Sequence, residues 1–267
     1  MKPDRKTLRG LRVISLIGVA AVAIAATDYH GYLSQTVDLT AIVPPAPLKG
    51  EIRYEADRKV FKRTRAMLNT PRGQLATSDV PSSVIDVMKD FSCAAGVALS
   101  PQTTPATYRL LANANADTAN ANNEAKDHWQ RLRPFLIDKG PVCESKKELA
   151  KSYDYPSGHT TRGWTFGLVL SDAEPDRATP ILTRARSYGE SRIVCGAHNM
   201  SAVEAGRLGA TVTMQAVRAT AAYQADLAAA RQELAAARAN PALTPAAAGC
   251  STEAALTAKS VLAGLKP

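Results

Sequence analysis

From Ala202 to Ala239 the chain runs without a single proline through a stretch dominated by alanine, with leucine, arginine, glutamate and glutamine between. These are strong helix formers. The stretch is predicted as two helices, with a break near Ala222. Nothing in the chain alternates polar and apolar residues with period two over a useful length, so no strand is predicted. Aromatic residues make up only 5% of the chain. A core of alanine and medium-sized aliphatics suits close-packed helices better than facing sheets. The predicted fold class is therefore all-α, a single-domain helical bundle, and its 267 residues suffice for one well-buried core.

Upstream, Tyr32 to Leu48 is irregular, with Pro44, Pro45 and Pro47 marking an extended segment that wraps the core. Apolar positions recur at helical spacing from Ile52 to Leu68, and Val80 to Phe91 reads as a second helix. Thr104 with Pro105 has the form of a helix start, Thr104 as N-cap and Pro105 in the first turn. The Asn- and Ala-rich run Asn113 to Asn123 is predicted to straddle a helix junction that leads into the helix carrying Lys126. Thr160 to Ser171 is predicted helical, as is a segment from Pro175-Asp176 to about Tyr188. Asn240 to Pro267 is an Ala-rich tail interrupted by Pro241 and Pro245, where mobility is expected.

Three short stretches carry chemistry. Lys126 and Arg133 bracket the first, seven residues apart, so one helix could present both on one face before Pro134 ends it. The second is Pro156-Ser157-Gly158-His159, ahead of a helix. Gly158 allows close backbone approach, and the amides at a helix start suit an anion. Ser157 adds a hydroxyl. The third is Ser191-Arg192 followed by His198. Three cations, Lys126, Arg133 and Arg192, match the need of a phosphoryl group for positive donors around its non-bridging oxygens. The chain has four histidines, and two of them, His159 and His198, fall in these stretches. His128 and Trp129 are read as packing or lining the entrance, and His30 carries no signal.

Read in order, K-x6-R-P, P-S-G-H and S-R-x5-H, the stretches resemble the signature of the type 2 phosphatidic acid phosphatase and vanadium haloperoxidase superfamily. The nearest likeness within it is to the class A bacterial non-specific acid phosphatases. It extends to Tyr32-Leu33, Val37-Asp38-Leu39, Pro44-Pro45, Ala125-Lys126-Asp127 and Gly189 to Gly196, and spans roughly Tyr32 to Arg238. The resemblance implies metal-independent hydrolysis of small phosphomonoesters, without a cofactor. It assigns His198 as the nucleophile that becomes a phosphohistidine and His159 as the general acid and then base. Lys126, Arg133, Ser157, Gly158 and Arg192 would bind the phosphate, and inorganic phosphate or vanadate would inhibit.

One position departs from that signature, which ends H-x3-D. Four residues beyond His198 stands Ala202, so the carboxylate expected to orient the nucleophilic imidazole is lost there. Glu204 is the nearest carboxylate in sequence. Two positions along a helix turn a side chain away by about 200°, so its substitution would need irregular backbone. The departure keeps two other functions in view: a catalytically degenerate member that only binds phosphorylated ligands, and a vanadate-dependent haloperoxidase.

The first residues, 1–26, have the form of a signal peptide. Lys2, Arg5, Lys6, Arg9 and Arg12 make a basic region, Val13 to Ala26 is apolar, and Ala23-Ile24-Ala25 offers a cleavage site. The expected organisation is signal 1–26, helical domain 27–240 and tail 241–267, with a periplasmic or secreted location. Those first residues hold five basic side chains and one acid of a formal net charge of +9, so about +5 remains for the mature chain. That mild excess does not require nucleic acid as a partner, and no stable membrane insertion is expected after cleavage. A homo-oligomer is compatible with the sequence, which does not set the oligomeric state. Four cysteines in an exported chain allow two disulfides and three pairings, of which Cys93–Cys143 with Cys195–Cys250 is preferred. No metal is expected, since no C-x2-C spacing exists and the histidines have other uses.

Overall fold

A computed structural model describes residues 29–264. The signal reading lies outside the described residues. Among them there are helices and no strands, as an all-α class requires. In chain order these are α1 (Ile52–Thr64), α2 (Pro71–Ser78), α3 (Val84–Asp90), α4 (Ser92–Ala95), α5 (Pro105–Trp129) and α6 (Pro134–Ile137). They continue with α7 (Lys146–Leu149), α8 (Gly158–Ala173), α9 (Ala178–Cys195), α10 (Met200–Arg218), α11 (Ala221–Arg238) and α12 (Ala247–Thr257).

Helix α8 is the centre of the bundle, packed by α5, α9 and α10, with α11 lying against both α5 and α8. Phe91, Leu110, Leu111, Phe166, Leu170 and Tyr188 are among the fully buried side chains of the main core. Burying each such side chain is worth about 1.5–3 kcal/mol, which outweighs the modest propensity differences along these helices. Two glycines set how closely the helices near the site approach. A Cβ on Gly163 would lie 2.3 Å from the Tyr188 ring, and one on Gly206 would lie 2.7 Å from the Ser157 carbonyl oxygen. Any larger residue would push α9 away from α8, or α10 away from the P-S-G-H turn.

Several local expectations are corrected. The Asn-rich run is no junction: α5 is one uninterrupted helix from Pro105 to Trp129. Its asparagines answer to neighbours instead, since Asn122 accepts a hydrogen bond from Thr161 Oγ1 (2.9 Å) and Asn115 from Arg162 Nε (2.8 Å). Thr104 gives α5 no side-chain cap. Glu233 of α11 does so, accepting from the Ala106 and Thr107 amides at 2.8 Å each, where a carboxylate also meets the positive end of the helix. Helix α9 runs on past Tyr188 to Cys195, so Arg192 sits in its last turn. The break in the Ala-rich run falls at 219–220, where Thr220 caps α11 by accepting from the Tyr223 amide.

The disulfides are Cys93–Cys250 and Cys143–Cys195, with Cα separations of 5.2 and 4.8 Å. This overturns the preferred pairing. The C-terminal end of α9 lies beside the loop before α7, where the Cys143 amide donates to the Cys195 carbonyl. The tail, in turn, folds back as α12 onto α2, α4 and α9 and brings Cys250 to Cys93.

Candidate active site

Helix α5 was expected to carry Lys126 and Arg133 on one face, with Pro134 ending it. It ends sooner. Gln130 adopts a left-handed conformation (φ 48°) as the C-cap, and the chain leaves the helix axis there. Arg133 becomes the residue before α6, whose first position is Pro134. The two cations thus reach the same place from different directions. Lys126 comes from the last turn of α5 and Arg133 from the following segment.

That place is a cavity of about 230 Å³ lined by Lys126, Arg133, Gly158, His159 and His198, with Asn115, Asn122, Asn123, Thr161 and Arg162 on its α5–α8 side. Ser157 and Arg192 do not line it. Both are fully buried behind it. Ser157 is the N-cap of α8: its Oγ accepts from the Thr160 amide (3.3 Å) and from Thr160 Oγ1 (2.9 Å). Its role as an acceptor at the helix start is therefore structural, while its hydroxyl hydrogen stays available. Arg192 makes an ion pair with Glu144 through Nη2, but its buried Nε and Nη1 have no partner. Unpaired buried guanidinium N–H groups are costly and call for an acceptor.

The tautomers of both imidazoles follow from their partners. Arg133 Nη1 lies 3.1 Å from His198 Nε2. A guanidinium only donates, so Nε2 carries the lone pair and Nδ1 the proton. Nδ1–H then points to the Asp154 carbonyl oxygen (2.7 Å) and to Asp154 Oδ1 (3.0 Å). For His159 the order is reversed. Its Nε2 lies 2.9 Å from the Val80 carbonyl oxygen, so Nε2 donates and Nδ1 is free. The ring stacks on Tyr188 with centroids 6.2 Å apart.

Electrostatically, the cavity is a cage of positive charge. Burial, followed by Arg133, Lys126 and Arg192, holds His198 well below the ordinary imidazole range. Burial and then Arg192 do the same to His159. Both shifts favour the neutral imidazole. Burial, aided by Arg133, lowers the Lys126 ammonium to about 7, although its Nζ donates to the Tyr153 carbonyl at 2.8 Å. Arg133 comes down to about 10, chiefly through burial, and stays charged. A dianion entering the cage reverses these terms, raising the proton affinity of every base it touches.

Residues that sequence reasoning did not single out lie behind His198. Asp154 is fully buried and accepts from the Asn199 amide (3.1 Å) and Asn199 Nδ2 (2.8 Å) besides His198. Arg131 Nη1 stands 3.6 Å from it and Nη2 binds Asp57 at 2.7 Å. Asp57 in turn accepts from the Ser201 amide and hydroxyl at 2.8 and 2.5 Å. No local pattern marks these acids and this arginine, because the contacts bridge segments far apart in the chain. Glu204 is exposed and takes no part. His128 and Trp129 do not line the cavity; Trp129 packs edge-on against Tyr155. Cys143, Glu144 and Cys195 cluster in space, but both sulfurs are spent in a disulfide, so the trio offers no thiolate to a metal.

Residues 106–225 match the PAP2 superfamily. The chain is similar to an acid phosphatase of Zymomonas mobilis, 38% identical over 196 residues that cover 73% of this chain and 74% of that protein. It is similar to a non-specific acid phosphatase of Providencia stuartii, 34% identical over 210 residues, 78% of this chain and 85% of that one. A non-specific acid phosphatase of Salmonella typhimurium is 34% identical over 203 residues, 75% and 81% of the two chains.

Proposed function

Because the chain belongs to the PAP2 superfamily, among the non-specific acid phosphatases, we propose that it hydrolyses small phosphomonoesters through a phosphohistidine at His198. The observation that carries this reading is the meeting of Lys126, Arg133, His159 and His198 in one cavity, with the unpaired N–H groups of Arg192 behind it.

The phosphoryl group enters where Lys126, Arg133 and the first turn of α8 converge. His198 Nε2 exchanges its hydrogen bond from Arg133 for a bond to phosphorus, and the guanidinium passes to a phosphoryl oxygen. As the Nε2–P bond forms, the P–O bond to the alcohol breaks and its electron pair stays on the leaving oxygen. His159 protonates that oxygen from Nδ1, the nitrogen left free by Val80. This requires an imidazolium, which the bound dianion favours by offsetting the cationic cage. In the second half, neutral His159 takes a proton from water as its oxygen attacks phosphorus. The Nε2–P bond breaks and its electrons return to the ring, releasing inorganic phosphate. These steps use only groups of this chain.

The leaving group faces Asn115, Asn122, Asn123 and Arg162, a polar wall without a large apolar surface. Such a wall accommodates hydroxylated alcohols of many shapes, which suits a broad specificity. We also place the enzyme outside the cytoplasm. The basic and apolar residues at 1–26 have the form of an export signal, and the two disulfides suit an oxidising compartment. No helix among the described residues is long and apolar enough to cross a membrane.

The test is hydrolysis of p-nitrophenyl phosphate between pH 4 and 8 by the protein freed of metal with a chelator. Turnover with competitive inhibition by inorganic phosphate is expected. Phosphate binding without product release would contradict the proposal and leave a binding protein.

A further inference from the structure

The carboxylate that the family signature places four residues after the nucleophile is absent, and its position is sealed. Ala202 is fully buried in an apolar pocket with Leu39, Val43, Ala121, Ala125 and Tyr155. Yet the nitrogen of His198 that such a carboxylate would serve is not left to water. We propose that Asp154, reaching His198 from the segment ahead of the P-S-G-H turn, is the positioning residue that replaces the missing carboxylate at Ala202. The proposal rests on the phosphatase reading above.

The geometry separates two tasks. The main-chain oxygen of Asp154 accepts Nδ1–H at 2.7 Å and by itself fixes the tautomer that keeps Nε2 free to attack. The side-chain Oδ1, 3.0 Å from the same nitrogen, adds a negative charge. That charge matters only once Nε2 bonds to phosphorus and the ring becomes cationic, so it favours the transition state over the ground state. Burial pushes the Asp154 carboxyl above the ordinary range, and it is the hydrogen-bond geometry that calls for a carboxylate. Asn199 N, Asn199 Nδ2, His198 Nδ1–H and Arg131 all present hydrogens to it, and a protonated carboxyl would need an acceptor that none of them offers. Arg131 is itself braced by the fully buried Asp57, which ties the assembly to α1 and to the start of α10.

The exchange also explains why position 202 is apolar. Ala202 shares an apolar cluster with Tyr155, the chain neighbour of Asp154, so a carboxylate there would put a second negative charge into the same dry region. Unlike Asp57, which shares Arg131 with Asp154, a carboxylate among these apolar side chains would have no cation to keep it ionised.

Two variants of the full chain, assayed on p-nitrophenyl phosphate, test this. If the unaltered protein shows no turnover, the phosphatase reading fails and the role of Asp154 falls with it. Given turnover, D154N should lower kcat by ~10²–10³, with the inhibition constant for inorganic phosphate within about threefold. The loss should be smaller than the ~10⁴ seen where the partner's removal also spoils the tautomer, because the carbonyl still holds the ring. A202D alone should gain nothing. The proposal is overturned if D154N keeps kcat within threefold, or if it loses phosphate affinity in step with kcat, the mark of a merely structural role. It is overturned equally if A202D raises kcat tenfold, which would show the carboxylate's place to be vacant. Should D154N fail to fold, D154S, which also removes the charge and keeps the main-chain carbonyl, takes its place with the same expected loss and the same overturning results.

Discussion

Two imidazoles line one cavity, and the surroundings at their backs are unlike. His198 stands before a chain of buried ionic groups, Asp154, Arg131 and Asp57, and its distal nitrogen meets both a carbonyl and a carboxylate. His159 has only the Val80 carbonyl behind it and a tyrosine ring at its side. On the proposed mechanism, the difference follows from what each ring must do. A ring that becomes a phosphorylated cation gains from a fixed negative charge behind it. A ring that must give up its proton to the leaving alcohol would be hindered by one, since a carboxylate partner would raise its proton affinity. The same protein therefore spends buried charge on one histidine and withholds it from the other.

The largest effect expected is at the charged side of this comparison. H198N should lower kcat by at least ~10⁴, measured by steady-state hydrolysis, because no covalent intermediate can then form. On the other side, H159N should lower kcat/KM, which reads the phosphoryl-transfer half alone, by ~10²–10⁴ for alkyl phosphates, whose alkoxide leaves poorly without a proton. With p-nitrophenyl phosphate the loss should be at least tenfold smaller, since that phenolate leaves unaided. Equal losses on both substrates would erase the proposed division of labour.

The smallest effect concerns the cage that the two rings share. Lys126, held near 7 chiefly by burial, is largely neutral at pH 7.5 in the empty site and ordinarily charged beside a dianion. Phosphate binding at pH 7.5 should therefore take up protons. Calorimetry in buffers of different ionisation enthalpy reads this directly, and proton release would contradict the electrostatic account. The same depressed value sets a stability trend. Between about 7 and the ordinary lysine value of ~10.5 the unfolded chain binds the extra proton, so this residue's contribution to stability improves as pH rises through that window.

What was legible in the sequence divides along the same line. Lys126, Arg133, His159 and His198 stand in short local patterns, and segments of that length keep their meaning whatever the rest of the chain does. The helical class followed from the Ala-rich stretch and the want of period-two alternation. Asp154 could not be found that way. His198 and Asn199, which donate to it, lie 44 and 45 positions downstream, and an acid in a Ser-Tyr-Asp-Tyr segment looks like any solvated loop residue. Asp57, 74 positions from Arg131, reads as one more charge on an already charged helix. The disulfide pairing failed for a related reason, because it depends on α12 folding back onto α4, a matter of topology rather than pattern. The end of α5 at Gln130 was missed as well. A left-handed glutamine is no strong stop signal, and Pro134 is a more obvious one.

The central claim is that His198 attacks through Nε2 while Asp154 holds Nδ1. The most direct measurement is rapid quench of the enzyme during turnover of p-nitrophenyl phosphate at alkaline pH, where phosphohistidine survives. Peptide mass spectrometry and phosphorus NMR would then locate the phosphoryl group. The account predicts one phosphoryl group per chain, on Nε2 of His198. Phosphate on Nδ1, on His159, or on no residue despite a burst of nitrophenol would contradict it.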